Sequence, residues 1–282
     1  MELTTRIVLD GLVFPECPRW HAGKLWFSDV QGRKIITVDS AGTSKVVLSP
    51  PFEPAGLDWT PRGTMLVVSA NARRLMHHDA SGALREVADL SGVEKIALND
   101  MTVDARGRAY IGAWGFDLNS GAPPAPADLF VVEPDGGVFV AASGQRFPNG
   151  IVITPDGGTL IVAETTGRCL TAFDVNADGA LSNRREWASL DTFPDGICLD
   201  AEGAVWVACP VTGECRRVRE GGEVLDRVIV PGKGVYACML GDDDRRTLYL
   251  CTATGTTADI SAGRTHGWIE SVRVEVAGAG RP

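Results

Sequence analysis

The chain has 282 residues, 44% of them hydrophobic, with 33 Gly, 16 Pro and a formal net charge of −9. A chain this acidic, without clustered Lys and Arg, argues against nucleic-acid binding, which needs cations set against phosphates. No run approaches the ~18 apolar residues of a membrane span, and the start MELTTRIVLDGLVF lacks the charged lead and unbroken apolar stretch of a signal peptide, so a cytoplasmic protein acting on a small molecule, with no membrane partner, is expected.

Taken in chain order, the first element is an isolated apolar strand, RIVLDGLVF, and after it one phrase repeats six times. Each repeat opens on a register residue: Glu16, Ala55, Asn99, Asn149, Asp195 and Tyr236, at spacings of 39 to 50 residues. A short apolar strand follows (PRW, GLDW, MTVD, GIVIT, GICLD, ACML), then a turn rich in Gly or Asp. A second strand is β-branched and aromatic (KLWFSD, TMLVVS, RAYIGA, TLIVAE, AVWVAC, TLYLCT), the composition of a buried strand. A third ends in a turn signal (IITVDSAG, LMHHDASG, LFVVEPDGG, TAFDVNADG, with CRRVREGG a looser copy). A fourth leads to the next register residue (KVVLSP, VFVAAS, REWASL, DRVIV). Four antiparallel strands in each of six units predict an all-β fold, a six-bladed β-propeller occupying residues 1–282 as one domain. The sixth unit stops after its third strand, GWIESVRVEV. Residues 4–10 are expected to supply the missing fourth by pairing with the strand around Trp268–Val276, which closes the ring and removes an open edge.

In such a ring the six register residues face one mouth of the central channel. Glu16, Asn99, Asn149 and Asp195 carry oxygen there, and two converging carboxylates repel unless a cation separates them. The set is hard and free of His and Cys, so one divalent cation, Ca2+, Mg2+ or Mn2+ in preference to Zn2+, fits it; polar groups wetting a water-filled channel fit the pattern as well. The second strands end at the same mouth, with Asp29 and Glu164 placed to orient a ligand and Cys209 to pack the wall. Two long loops, residues 113–128 and 252–267, reach over that face as lid candidates, and Trp114 and Phe116 in the first supply an apolar wall. His266, in the second loop, is the histidine placed for chemistry, whereas His77 and His78 lie near an outer turn. Seven cysteines without a C-x-x-C pair read as buried thiols.

The phrases FPECPRW, LNDMTVDARGRAYIG, FPNGIVITPDGGTLIVAET, AFDVNADGALSNRR and FPDGICLDAEGAVWVA resemble the family of senescence marker protein (regucalcin) and the gluconolactonases. The ring resembles, more distantly, the diisopropyl fluorophosphatase type. The resemblance implies a divalent metal on Glu16, Asn149 and Asp195, Asn99 touching substrate or completing the metal shell, and lactone opening with Asp195 as general base. Trp114, Phe116 and Tyr236 complete the expected substrate pocket. In sugar-lactone members an Arg stands two residues before the position of Asn99; here it is Ala97, which points away from a sugar. The expected activity is therefore a metal-dependent lactonase. A phosphotriesterase on the same ring and a non-catalytic metal- or ligand-binding propeller are the alternatives.

Overall fold

Short β-rich segments broken every few residues by Gly and Asp turns can bury both faces of each sheet only by stacking sheet on sheet around an axis. The computed structural model describes residues 4–79 and 82–280, and the strands found there form six four-stranded antiparallel sheets, five in chain order and the sixth with the N-terminal strand as its outermost member. The turn expected after His78 falls partly at residues 80–81, outside the described residues. Inner strands run Pro15–His21, Pro54–Trp59, Leu98–Val103, Pro148–Ile153, Ile197–Leu199 and Gly234–Gly241 in blades 1 to 6. Each packs against the inner strands of both neighbouring blades, so the six line one axis.

The core is a set of apolar layers between neighbouring blades. Leu25 and Phe27 of blade 1 share one cluster with Trp206 of blade 5 and Leu250 of blade 6, and Val68 and Leu75 of blade 2 share another with Ile111 and Phe130 of blade 3. Alternating strand residues therefore all meet apolar neighbours, which explains why the second strands read as unbroken apolar runs. At the axis the inner strands come so close that Gly56, Gly150 and Gly196 have no room for a side chain. A Cβ on Gly150 would lie 2.4 Å from the Ile197 nitrogen, and one on Gly196 would lie 2.5 Å from the Ala237 Cβ. These glycines let Gly150 N–H reach the Asp195 carbonyl at 3.3 Å and Gly196 N–H reach the Tyr236 carbonyl at 2.8 Å, stitching blades 4, 5 and 6 together.

The ring closes as the repeat count requires. Arg6–Leu12 pairs antiparallel with His266–Arg273, with Arg6 opposite Ser271 and Leu12 opposite Gly267, so the seam lies slightly further along the first strand than residues 4–10. Thr5 Oγ1 donates to Glu270 at 2.6 Å and Thr265 Oγ1 to the Val13 carbonyl at 2.6 Å, fastening both ends of the seam. CRRVREGG forms a regular third strand, Glu214–Val218. Deleting residues 1–11 strips the outer strand from blade 6 and bares an edge. The expected result is aggregation, or a melting temperature lower by about 10 °C or more, read by light scattering and calorimetry. A soluble shortened chain with unchanged melting would show that the ring does not depend on the seam.

Candidate functional site

The inner strands do not enter the mouth as regular strands. Pairing with the second strand breaks register between Glu16 and Arg19, Pro54 and Leu57, Leu98 and Met101, Pro148 and Ile151, and Val235 and Ala237. Glu16, at the edge of its break, and Ala55, Asn99, Asn149 and Tyr236, inside theirs, all sit at these bulges, which leave a residue out of the ladder and re-aim its side chain. In blade 5 the regular strand starts only at Ile197, and Asp195 and Gly196 are held instead by Ala208 at 2.9 and 3.0 Å. Cys17 and Phe147, beside Glu16 and just before Pro148-Asn149, have φ of 51° and 61°. Left-handed backbone at a bulky residue is costly, and it sits here within two residues of two site groups.

The aimed side chains converge. Asn149 is 8% exposed and Asp195 9%, while Glu16, Asn99 and Tyr236 are half-buried. Burial and the neighbouring charge of Asp100 push Glu16 up to about 8, against the pull of the Cys17 N–H, which donates to its carboxylate at 2.9 Å. Asp195 is held well above the usual carboxylate range by burial and by the charges of Glu16 and Asp100, partly offset by hydrogen bonds from Asn149 and Gly196. Burial, then the charges of Asp195 and Glu16, push the Tyr236 phenol up to about 12. The Asn149 amide also donates to Thr165 Oγ1 at 3.3 Å, and Thr165 donates to the Pro194 carbonyl at 2.7 Å, so one hydroxyl fixes Asn149 relative to Asp195 across a blade boundary. Asn99 donates to the Pro148 carbonyl at 3.1 Å. Both asparagines engage their amide nitrogens in these contacts, which leaves their carbonyl oxygens as the available ligand atoms.

Among the described residues no group of three or more His, Cys, Asp and Glu is arranged to hold a metal. The donor set here is instead two carboxylates with carboxamides. Two carboxylates whose ionisation is opposed by burial and by neighbouring negative charge are a poor resting arrangement and a good cradle for a hard divalent cation, so Glu16, Asn149 and Asp195 fit that group, with Asn99 adjacent.

Around them lies an aromatic collar. Phe147 touches Trp114 at 5.7 Å and Phe116 at 5.4 Å between ring centres, and on the opposite side Phe14 meets Tyr236 edge-on at 4.8 Å. Phe116 and Phe147 are buried, Trp114 half-buried. Ala97 is 1% exposed and its carbonyl accepts the Trp114 N–H at 2.9 Å, tying that loop down beside Asn99. The 3₁₀ turn Leu118–Ser120 and the helix Thr257–Ser261, from the two long loops, touch one another. Blades 3 and 6 face each other across the ring, so these loops meet over the mouth.

The remaining sequence expectations divide. Asp29 and Glu164 turn away from the site: Asp29 accepts the Val13 and Phe14 N–H groups at 3.1 and 2.7 Å, and Glu164 accepts the Arg146 N–H at 2.7 Å. Each carboxylate anchors the segment that delivers a site residue, Glu16 or Asn149. Cys209 is fully buried, donates to the Val207 carbonyl and is pushed up to about 12 by burial, which suits wall packing. His266 pairs with exposed Asp10 and stacks on Trp268 in the outer strands, away from the convergent groups. All seven cysteines are free and buried. Phe14, Phe147, Thr165, Arg19 and Asp100 were not singled out in the sequence, although the repeated Phe-Pro before Glu16, Asn149 and Asp195 was a legible signal for the collar.

Fold and mouth together define a six-bladed propeller with an acidic axial site. The chain belongs to the SMP-30/gluconolactonase/LRE-like family, whose model matches residues 14–254, a family of lactonase-like hydrolases. It is similar to 6-deoxy-6-sulfogluconolactonase of Pseudomonas putida, 26% identical over 98% of this chain and 96% of that one. A gluconolactonase from Xanthomonas campestris superposes with a TM-score of 0.77 at 26% identity, covering 96% of this chain and 89% of that chain. Regucalcin from Agrobacterium tumefaciens, described as a calcium-binding protein, superposes with a TM-score of 0.82 at 22% identity over 100% and 97% of the two chains.

A raised carboxylate favours the protonated folded form, so the stability linked to Glu16 is fully present below pH about 4.5 and is lost as pH climbs through about 8. Chelator-treated protein is therefore expected to melt at lower temperature at pH 8.5 than at pH 5.5. Calcium at ~100 times its dissociation constant should restore about 2.7 kcal/mol, roughly 5–10 °C, at the higher pH. Calorimetry that finds neither the pH slope nor the calcium effect contradicts the carboxylate cradle.

Proposed function

We propose that the chain is a divalent-cation-dependent lactonase whose substrate is a lactone or cyclic ester with few hydroxyls and an alkyl or aryl substituent. The observation that carries this reading is the convergence of Glu16, Asn149 and Asp195 at one mouth, with Glu16 lifted by burial and the charge of Asp100, and Asp195 by burial and the charges of Glu16 and Asp100. A cation held by these three residues would supply Lewis-acid polarisation of the lactone carbonyl.

The remaining chemistry falls to the chain's own groups. Asp195 accepts a proton from the attacking water as its oxygen bonds to the carbonyl carbon, and returns that proton to the ring oxygen when the acyl C–O bond breaks, giving a hydroxy acid. Asn149, steadied by Thr165, keeps the Asp195 carboxylate oriented. Asn99, braced on Pro148, presents its carbonyl oxygen to the cation or to a substrate hydroxyl.

The substrate class follows from what surrounds these groups. A sugar lactone brings several hydroxyls, and each one buried without a partner costs about 1–3 kcal/mol. The mouth offers Ala97 and Ala55 where polar partners would stand, and Trp114, Phe116, Phe147, Phe14 and Tyr236 around them. Apolar substituents gain roughly 25 cal/mol per Å2 buried on such walls. Support for lactone chemistry in general comes from the sulfogluconolactonase and gluconolactonase relatives, both of which act on sugar-derived lactones by name.

Two measurements test the proposal. On calcium-, magnesium- and manganese-loaded protein, kcat/KM for dihydrocoumarin or an alkyl lactone is expected to exceed that for gluconolactone by at least tenfold. A preference for gluconolactone refutes the apolar substrate class, and turnover confined to phosphotriesters refutes the lactonase reading. Asp195→Ala is expected to lower kcat by about 10²–10⁴-fold or more while circular dichroism stays native. Turnover at the wild-type rate removes Asp195 from the mechanism.

A further inference from the structure

Directly beneath the mouth lies a group that neither the family resemblance nor the proposed chemistry uses. Arg19, three residues after Glu16 on the same inner strand, is 3% exposed. Its Nη2 donates to Asp100 Oδ1 at 2.9 Å and to the Met101 carbonyl, and its Nη1 donates to the Pro18 carbonyl at 2.9 Å. Its Nε has no partner among the described residues. Asp100, 4% exposed, follows Asn99 directly and is a third carboxylate whose charge reaches both Glu16 and Asp195. Its Oδ1 also accepts the Met101 N–H at 2.8 Å, and the Cys17 thiol hydrogen-bonds the carboxylate. Below it, Asp58 is fixed by the Val103 N–H at 2.7 Å and feels the Arg19 charge as well.

Three buried carboxylates at one mouth would give a divalent cation one negative charge too many and compete with the asparagines for it. A guanidinium bound to one of them resolves this, because its charge offsets that carboxylate while its Nη2 and the Met101 N–H together hold Oδ1. We propose that Arg19 is a built-in counter-ion that withdraws Asp100 from the donor set, so that the mouth takes one divalent cation with Glu16 and Asp195 as its anionic ligands. This assignment rests on the cation-dependent reading above. It makes Arg19 a positioning residue: it touches neither cation nor substrate and sets charge and stoichiometry through Asp100.

A double-mutant cycle read by calorimetric titration of metal-stripped protein with calcium tests the assignment without any turnover. Wild type is expected to bind one calcium. Asp100→Asn leaves the guanidinium charge without its partner beside the mouth and is expected to weaken calcium at least tenfold at unchanged stoichiometry. Arg19→Met releases Asp100 and is expected to tighten calcium at least tenfold or to add a second equivalent. Combining Arg19→Met with Asp100→Asn removes both charges and is expected to return one site to within threefold of wild type. Should Arg19→Met fail to fold, judged by circular dichroism, Asp100→Asn and the double variant still decide, because recovery in the double variant is the signature of a counter-ion. If Asp100→Asn abolishes calcium binding and the double variant does not recover it, Asp100 is itself a ligand and the proposal is overturned. Equal affinity and stoichiometry in wild type, Asp100→Asn and the double variant also overturns it while leaving the lactonase reading intact. A wild-type protein that binds no divalent cation overturns both.

Discussion

The constraint on which the rest of the molecule depends is the burial of like charges on the axis. Glu16, Asp195 and Asp100 come from three different blades and meet at one mouth, where Asp100 raises the cost of ionising Glu16, and both raise that of ionising Asp195. Such an arrangement survives only where surrounding structure fixes it, and much of the fold does so. Gly150 and Gly196 admit the close approach of neighbouring inner strands, the bulges re-aim the opening residues, and Asp29 and Glu164 anchor the segments that enter the mouth. Closure of blade 6 by the N-terminal strand completes the circle that holds these pieces at fixed separations.

Two kinds of neighbour divide the consequences of that charge. Below the mouth, Arg19 and the backbone of Met101 satisfy Asp100 within the protein. At the mouth itself, among the described residues, Glu16 accepts the Cys17 N–H and Asp195 is bonded by Asn149 and Gly196; these contacts, with the Arg19 charge acting on Glu16, soften the repulsion without cancelling it. The remaining imbalance is negative and carried by hard oxygens, the complement of a divalent cation, and the ring of Phe14, Phe116, Phe147, Trp114 and Tyr236 keeps that imbalance in a setting of low polarity, where electrostatic contacts are stronger than in water. On the proposed lactonase reading, such a site would favour polarisation of a bound carbonyl, and its apolar rim would favour substrates that bring hydrocarbon to it.

The architecture is legible in the repeat. Six register residues at 39 to 50 residue spacing carry both the blade count and the identity of the groups that meet on the axis, because equivalent positions in a ring must share one end of it. Glu16, Asn99, Asn149, Asp195 and Tyr236 do meet there. What the pattern hid depends on three-dimensional pairing between blades. Arg19 and Asp100 are 81 residues apart and look like ordinary strand charges until blades 1 and 3 are brought to one channel. Thr165 has no repeat equivalent that announces its bridge from Asn149 to Pro194. Asp29 and Glu164 stand at the right strand ends to face a ligand, but their carboxylates are taken up by backbone N–H groups of the preceding segment, a choice that alternation along a strand does not encode.

The most direct test of the account is anomalous diffraction at long wavelength from a crystal of the calcium-loaded protein. A single anomalous peak on the axis, about 2.3–2.6 Å from oxygens of Glu16, Asn149 and Asp195 and outside contact distance of Asp100, is the predicted result. No peak at the mouth under saturating calcium, or a peak held by Asp100, would contradict it.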